Sequence, residues 1–201
     1  MPVKELLGLI AALLSATSGV MYVSTVVRGN TKPHLYTYIL WSIVTCLLFA
    51  GQFVSGAGAG SWASLVAALA TIAVVPLCAK FGTRDITFGD AIALTCGVVT
   101  ILPWILTKNP LWSVILANLI DMWAIVPTLR KTWNDPSSEP LLPWLLTQAK
   151  HILAIAALSS YSITTYLYPV QAFCMNAILI CIILFKKRKL YPGPAGVSAI
   201  H

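Results

Sequence analysis

The sequence predicts an all-α membrane protein: seven transmembrane helices, arranged as two parallel three-helix bundles joined by a linker helix. Three observations predict it. Of 201 residues, 58% are hydrophobic and 9% charged, where ordinary soluble domains carry about 25% charged residues; a soluble fold of this size has too little polar surface to cover so much apolar side chain. The apolar residues fall into seven runs, each close to the ~20 residues that cross a bilayer. A shift of 103 residues lays the first three runs on the last three and leaves the fourth as a connector.

Taken in order, the first run is Glu5–Val27, ended by the polar turn Arg28-Gly29-Asn30-Thr31-Lys32-Pro33-His34. It continues past Val20 without a cleavage site, so it reads as a retained span and not as a signal peptide. The second run, Leu35–Ser55, stops at the glycine-rich 56–61, and the third is Trp62–Ala79. The fourth, Phe88–Leu106, ends at Thr107-Lys108-Asn109-Pro110. The fifth is Leu111–Leu129, followed by a basic, proline-rich turn from Arg130 to Pro140. The sixth is Leu141–Ser162, and the seventh is Tyr168–Phe185, followed by Lys186-Lys187-Arg188-Lys189. Pro76, Pro103 and Pro127 inside runs are tolerated where neighbouring groups satisfy the freed backbone. The resulting division is a first bundle at 5–79, a linker helix with its flanks at 80–108, a second bundle at 109–187 and a tail at 188–201.

The formal charge is +7. With seven spans, ten basic residues fall on one side: Arg28, Lys32, Lys80, Arg84, Arg130, Lys131, Lys186, Lys187, Arg188 and Lys189. Lys4 and Lys108 fall on the other, and Lys150 lies within a span. The positive-inside rule places the C-terminus in the cytoplasm and the N-terminus outside, most simply in a plasma (inner) membrane. Basic residues scattered over several turns do not make a nucleic-acid surface. The cysteines, Cys46, Cys78, Cys96, Cys174 and Cys181, all lie in apolar runs without metal-ligand spacing, so they read as small buried or lipid-facing side chains. No GxSxG, HExxH, P-loop or Rossmann pattern is present, so neither an enzyme, a metal site nor a bound cofactor is expected.

Within the repeat, the twenty residues from Tyr22 lie against the twenty from Ile125, and Val23, Thr25, Pro33 and Trp41 meet Val126, Thr128, Pro136 and Trp144. Three spans and one connector separate the copies, so both have the same orientation. Parallel repeats of this kind build transporters with the solute site at the repeat interface. The shift also lays Ser15, Ser18 and Tyr22 on Asn118, Asp121 and Ile125. Spacings of three and four put each set on one helical face, so the lead helix of each half is expected to carry a polar stripe facing a central cavity. The plain alternative is that small polar residues glue helices together.

Through Pro127-Thr128-Leu129-Arg130-Lys131, the polar turn and Trp144, with Ser24-Thr25, Arg28 and Lys32-Pro33 in the first half, the chain resembles the SWEET and PQ-loop superfamily. The resemblance covers roughly residues 5–187. It implies two three-helix bundles joined by a linker helix, an outside N-terminus and a cytosolic C-terminus, and Pro127 as a hinge. The family's Pro-Gln pair is absent: Thr128 stands where the Gln would be, and Ser24 where the first-half Pro would be. Members carry sugars, amino acids or cystine, the last with protons, whereas KDEL receptors share the fold and transport nothing.

Chemistry is expected at ionised groups inside spans, which are costly and therefore rare. Asp121 lies about nine residues before the basic turn, or ~14 Å at ~1.5 Å per residue. Lys150 lies about ten residues into the sixth span, ~15 Å by the same rise. Both are expected near mid-membrane, where pairing lowers their cost. A solute or proton that competes for the pair would couple it to opening and closing; a static pair would only fix the second bundle. His151 beside Lys150 is a candidate proton relay. Asn118 and Asn176 are candidate solute contacts with Ser18 and Tyr22, and Gln148 and Gln52 are further uncharged candidates. For Asp135 and Glu139 a solvated turn is the plainer reading, and an inner gate closed on Arg130 and Lys131 is the functional alternative.

The expected function is transport of a small polar solute, proton-coupled or charged, by alternating access between the bundles. A non-transporting receptor or scaffold with the same fold is the alternative, and a retinal photoreceptor is disfavoured because the buried Lys is in the sixth span. The expected partners are the solute and the bilayer. One chain carries both halves, and a homo-oligomer remains open.

Overall fold

The computed structural model describes residues 3–30, 33, 35–82, 88–99, 101–125, 129, 132–134, 136 and 141–190. Among these, the regular structure is all helical, with no strand: α1 (Val3–Val27), α2 (Leu35–Val54), a 3-10 turn (Gly58–Ser61), α3 (Trp62–Phe81), α4 (Phe88–Val99), α5 (Leu102–Thr107), α6 (Pro110–Ala124), α7 (Leu141–Ala156) and α8 (Ile163–Leu190). Among the described residues, four stretches are long and apolar enough to cross a membrane: Val3–Val27, Leu35–Val54, Gly58–Phe81 and Ile163–Lys186. Pro110–Ala124 and Leu141–Ala156 are shorter apolar helices.

Local chemistry sets the ends. Asn109 caps α6, its side-chain oxygen accepting from the Leu111 N–H at 2.9 Å, and Pro110 follows at the first position, where its missing N–H costs nothing. Past α2, Gly56 turns at φ 77, a left-handed conformation that suits glycine, while the Ala57 N–H reaches back to the Gln52 carbonyl at 3.0 Å.

Three expected boundaries change. The sixth run helps form a turn instead of continuing the helix to Ser162: α7 stops at Ala156, because Thr165 gathers the Ser160–Ser162 backbone. Its hydroxyl accepts from the Ser162 N–H at 2.9 Å and donates to the Ser160 carbonyl at 2.8 Å, which caps α8. At its other end α8 runs through Lys186-Lys187-Arg188-Lys189, so this basic cluster forms a helix C-terminus and not a following tail; cations are favoured there by the helix dipole. The fourth run is not one described helix. It comprises α4 and α5, and Pro103 removes the N–H that would have bonded the carbonyl of Val99, where α4 ends. Pro127, the Arg130-Lys131 pair and the Asp135 and Glu139 gate residues lie outside the described residues.

The packing is regular. α3 packs against α1 and α2, and α8 packs against α6 and α7. Across the two groups, α1 lies on α7 and α2 on α6, while α4 packs on α2 and α5 on α6. Exchanging α1 with α6 and α2 with α7 maps one of these seams onto the other. One seam is filled by Leu40, Val44 and Leu48 of α2, Val114 and Ala117 of α6, and Tyr168 and Ala172 of α8. The other is built from alanines, Ala11, Ala63 and Ala154, which bring α1, α3 and α7 close together. The shift of 103 residues carries α2 onto 138–157, which encloses α7, and α3 onto 165–184, which lies within α8.

Candidate functional site

Two contacts join polar side chains across helices in the second half of the chain: Asp121 with Gln171, and His151 with Tyr168. α6 carries Asn118 and Asp121 three residues apart, α7 carries Lys150 and His151, and α8 carries Tyr168, Gln171 and Asn176. Lys150, His151, Asn118 and Asn176 are buried, and Asp121 is partly buried. One carboxylate oxygen of Asp121 accepts from the Gln171 side-chain N–H at 3.2 Å. The ring of His151 stands edge-on to that of Tyr168, with centroids 5.8 Å apart and an interplanar angle of 85°.

Asp121 and Lys150 attract each other through space, and the same two charges act on Tyr168 and His151 respectively. They are not in contact. The expected ion pair is therefore corrected to a longer-range attraction, with Gln171 as the group that touches the carboxylate. The reason lies in the packing: α8 lies between α6 and α7, so a side chain from α8 reaches Asp121 first. Lys150, 7% exposed, makes no hydrogen bond among the described residues. Several buried amide atoms also lack a partner: Asn118 Oδ1, Gln148 Oε1, Gln171 Oε1 and Asn176 Nδ2. Asn118 spends its N–H on the Val114 carbonyl one turn back, at 2.7 Å, which leaves its oxygen unused. An unsatisfied buried polar atom costs about 1–3 kcal/mol, so this much unused capacity on the three helices that carry Asp121, Lys150 and Gln171 calls for a function.

The two polar stripes do not face each other. Because the seam sets α1 on α7, Ser18 meets the Thr147 hydroxyl at 3.2 Å and the Pro143 carbonyl at 3.5 Å. Thr147 is one turn before Lys150, so Ser18 reaches the rim of the polar cluster from the other half. Ser15 donates to the Ala63 carbonyl at 3.2 Å. Tyr22 is elsewhere: its ring lies 5.6 Å from Tyr38, in an aromatic group with Trp41 inside the first half. Ser18→Ala is expected to lower stability by about 0.6–1 kcal/mol, since interhelical hydrogen bonds between membrane helices have modest strength. Thermal unfolding in detergent measures it.

At the end of the molecule that carries Lys4, the halves are fastened together. The Lys4 ammonium donates to the Leu158 carbonyl at 2.7 Å and lies 5.8 Å from the centre of the Tyr161 ring. The Ser159 N–H donates to the Ala57 carbonyl at 3.0 Å, and Gln52, 1% exposed, donates to the Thr165 carbonyl at 3.1 Å. Gly60 permits a close approach to backbone: a Cβ there would lie 2.6 Å from a Leu158 methyl and 2.9 Å from the Ala154 carbonyl oxygen.

Gln171 and Tyr168 were not singled out in the sequence. A signal existed, since Gln171 is an amide inside an apolar run, as Gln148 and Asn176 are. Its spacing from Tyr168 does not show which helix it reaches. No family model, no curated protein and no solved structure matches the chain.

Proposed function

We propose that the chain is a transmembrane transporter of a small polar solute. In this reading seven spans form a 3+1+3 arrangement, α1 to α3 and α6 to α8 being the bundles and α4 with α5 the linker. The bundles rock about the two matching seams. The N-terminus is outside and the C-terminus cytoplasmic, so the Lys4 seam is an outer gate in its closed state.

The observation that carries this proposal is Lys150, an amine buried without a hydrogen bond among the described residues and within electrostatic reach of the Asp121 carboxylate. Such groups are too costly in a membrane interior to be retained as filler. A solute that hydrogen-bonds Asn118, Gln171 and Asn176 would satisfy them, and a proton moving among Asp121, Lys150 and His151 would couple their charge to the cycle. The matching seams support the bundle reading, because an exchange-symmetric contact pattern lets two halves tilt without either unpacking.

The test begins with a thermal-shift screen of sugars, amino acids and vitamins over a pH series; a ligand stabilises by RT ln(1 + [L]/Kd). Solutes that stabilise then go to uptake in proteoliposomes, with and without an inward proton gradient. Saturable uptake that Asp121→Asn reduces at least roughly tenfold, about 1.4 kcal/mol of barrier, is the expected result. Full transport by the variant removes Asp121 from the mechanism. Stabilisation without flux selects the receptor reading.

A further inference from the structure

The last turns of α8 carry a feature that transport does not use. Ala177, Ile178, Cys181, Ile182, Phe185 and Lys186 recur at the spacing that puts them on one helical face. With Trp133 they line an open cleft of about 660 Å³. Its walls are apolar side chains, and Ile178, Phe185 and Trp133 are 45%, 74% and 56% exposed. At its charged end the Lys186 ammonium lies 4.1 Å from the centre of the Trp133 ring. No carboxylate pairs with Lys186 among the described residues, and the helix continues as Lys187-Arg188-Lys189.

We propose that this cleft is a binding site for an acidic phospholipid, with one acyl chain along α8 and the phosphate on Lys186. Length and charge both point to this occupant. From Ala177 to Lys186 the cleft follows α8 for about 13 Å at ~1.5 Å per residue, close to the roughly 15 Å of one leaflet's hydrocarbon. Its charged end is Lys186, so a chain lying in it has its headgroup at that ammonium. Trp133 is an aromatic ring of the type that settles at headgroup level, and stacking on it holds the ammonium at the mouth while leaving its N–H groups free for phosphate oxygens. A zwitterionic headgroup would meet the same ammonium with no net charge. The site rests on membrane insertion alone and not on the transport reading.

Native mass spectrometry of the full chain, released from bilayers of equimolar phosphatidylglycerol and phosphatidylcholine, tests this. The parent is expected to retain one phosphatidylglycerol with at least about fivefold preference, the size of one juxtamembrane lysine's contribution. Lys186→Glu is expected to abolish the preference. Ile178→Trp fills the cleft while keeping every charge, and is expected to lose the bound lipid altogether; thermal unfolding of both variants confirms that they are folded. Equal retention of the two lipids overturns the proposal, as does a preference that neither variant changes. A dimer without lipid also overturns it, because a second copy of the chain would then cover the cleft.

Discussion

Replacing Lys150 with methionine is expected to reduce solute uptake at least roughly tenfold, about 1.4 kcal/mol of barrier, while the melting temperature stays within a few degrees of the parent's. Methionine keeps most of the stem and removes the charge. Breaking a contacting buried ion pair costs about 3–5 kcal/mol, because the other charge is stranded. That penalty does not apply here, since the Asp121 carboxylate keeps its hydrogen bond from Gln171 and does not touch Lys150. A lone ammonium in a membrane interior is itself unfavourable by about 2.5–3.5 kcal/mol on insertion scales, so its loss offsets the weaker attraction to Asp121. Stability and activity therefore separate. A static role predicts the reverse outcome, a drop of many degrees with flux intact, and would end the claim that Lys150 takes part in transport. Paired uptake and thermal unfolding on the same preparations measure both.

Gly60→Ala is expected to have the largest structural effect. The new methyl would meet the Ala154 carbonyl oxygen and the Leu158 Cα, each at 2.9 Å. Both are backbone atoms and cannot rotate away as a flexible side chain would. Overpacking of this kind costs about 1–3 kcal/mol. The strain is relieved if the halves part at the Lys4 end, where single hydrogen bonds from Lys4, Ser159 and Gln52 hold them. The variant is thus expected to melt lower by about 2–4 °C per kcal/mol. It should also expose Ala154, which is 3% exposed. In an Ala154→Cys background, a membrane-impermeant maleimide should label the Gly60→Ala protein from the N-terminal side several-fold faster than the parent. Destabilisation with no gain in labelling would show that this seam is fixed, and the gate would have to lie elsewhere.

Part of the architecture is legible without coordinates because the bilayer acts as a solvent with a known thickness. Leu35–Ser55 and Trp62–Ala79 were bounded to within two residues of α2 and α3, since polar or glycine-rich turns end them. The same counting fails at Leu141–Ser162 and Tyr168–Phe185. Serine and threonine there are apolar enough to sit in either neighbour, and only the Thr165 hydroxyl, bonding back to 160–162, decides that the turn comes first. Likewise, Phe88–Leu106 reads as one apolar run until Pro103 removes a backbone donor near its end.

Unaided, the sequence determined that this chain is helical and apolar enough for membranes, and that Asp121, Lys150 and His151 stand apart from that background. Those conclusions depend on composition and on distance along the chain. The tertiary structure decided the partners: Gln171 for Asp121, Thr147 for Ser18, Tyr38 for Tyr22 and Leu158 for Lys4. Helical periodicity gives the face on which a residue lies, but the neighbour that face meets depends on how each helix is rotated and ordered in the bundle. Here the order is set by α8 lying between α6 and α7, and by the alanine contacts that let α1 lie against α7.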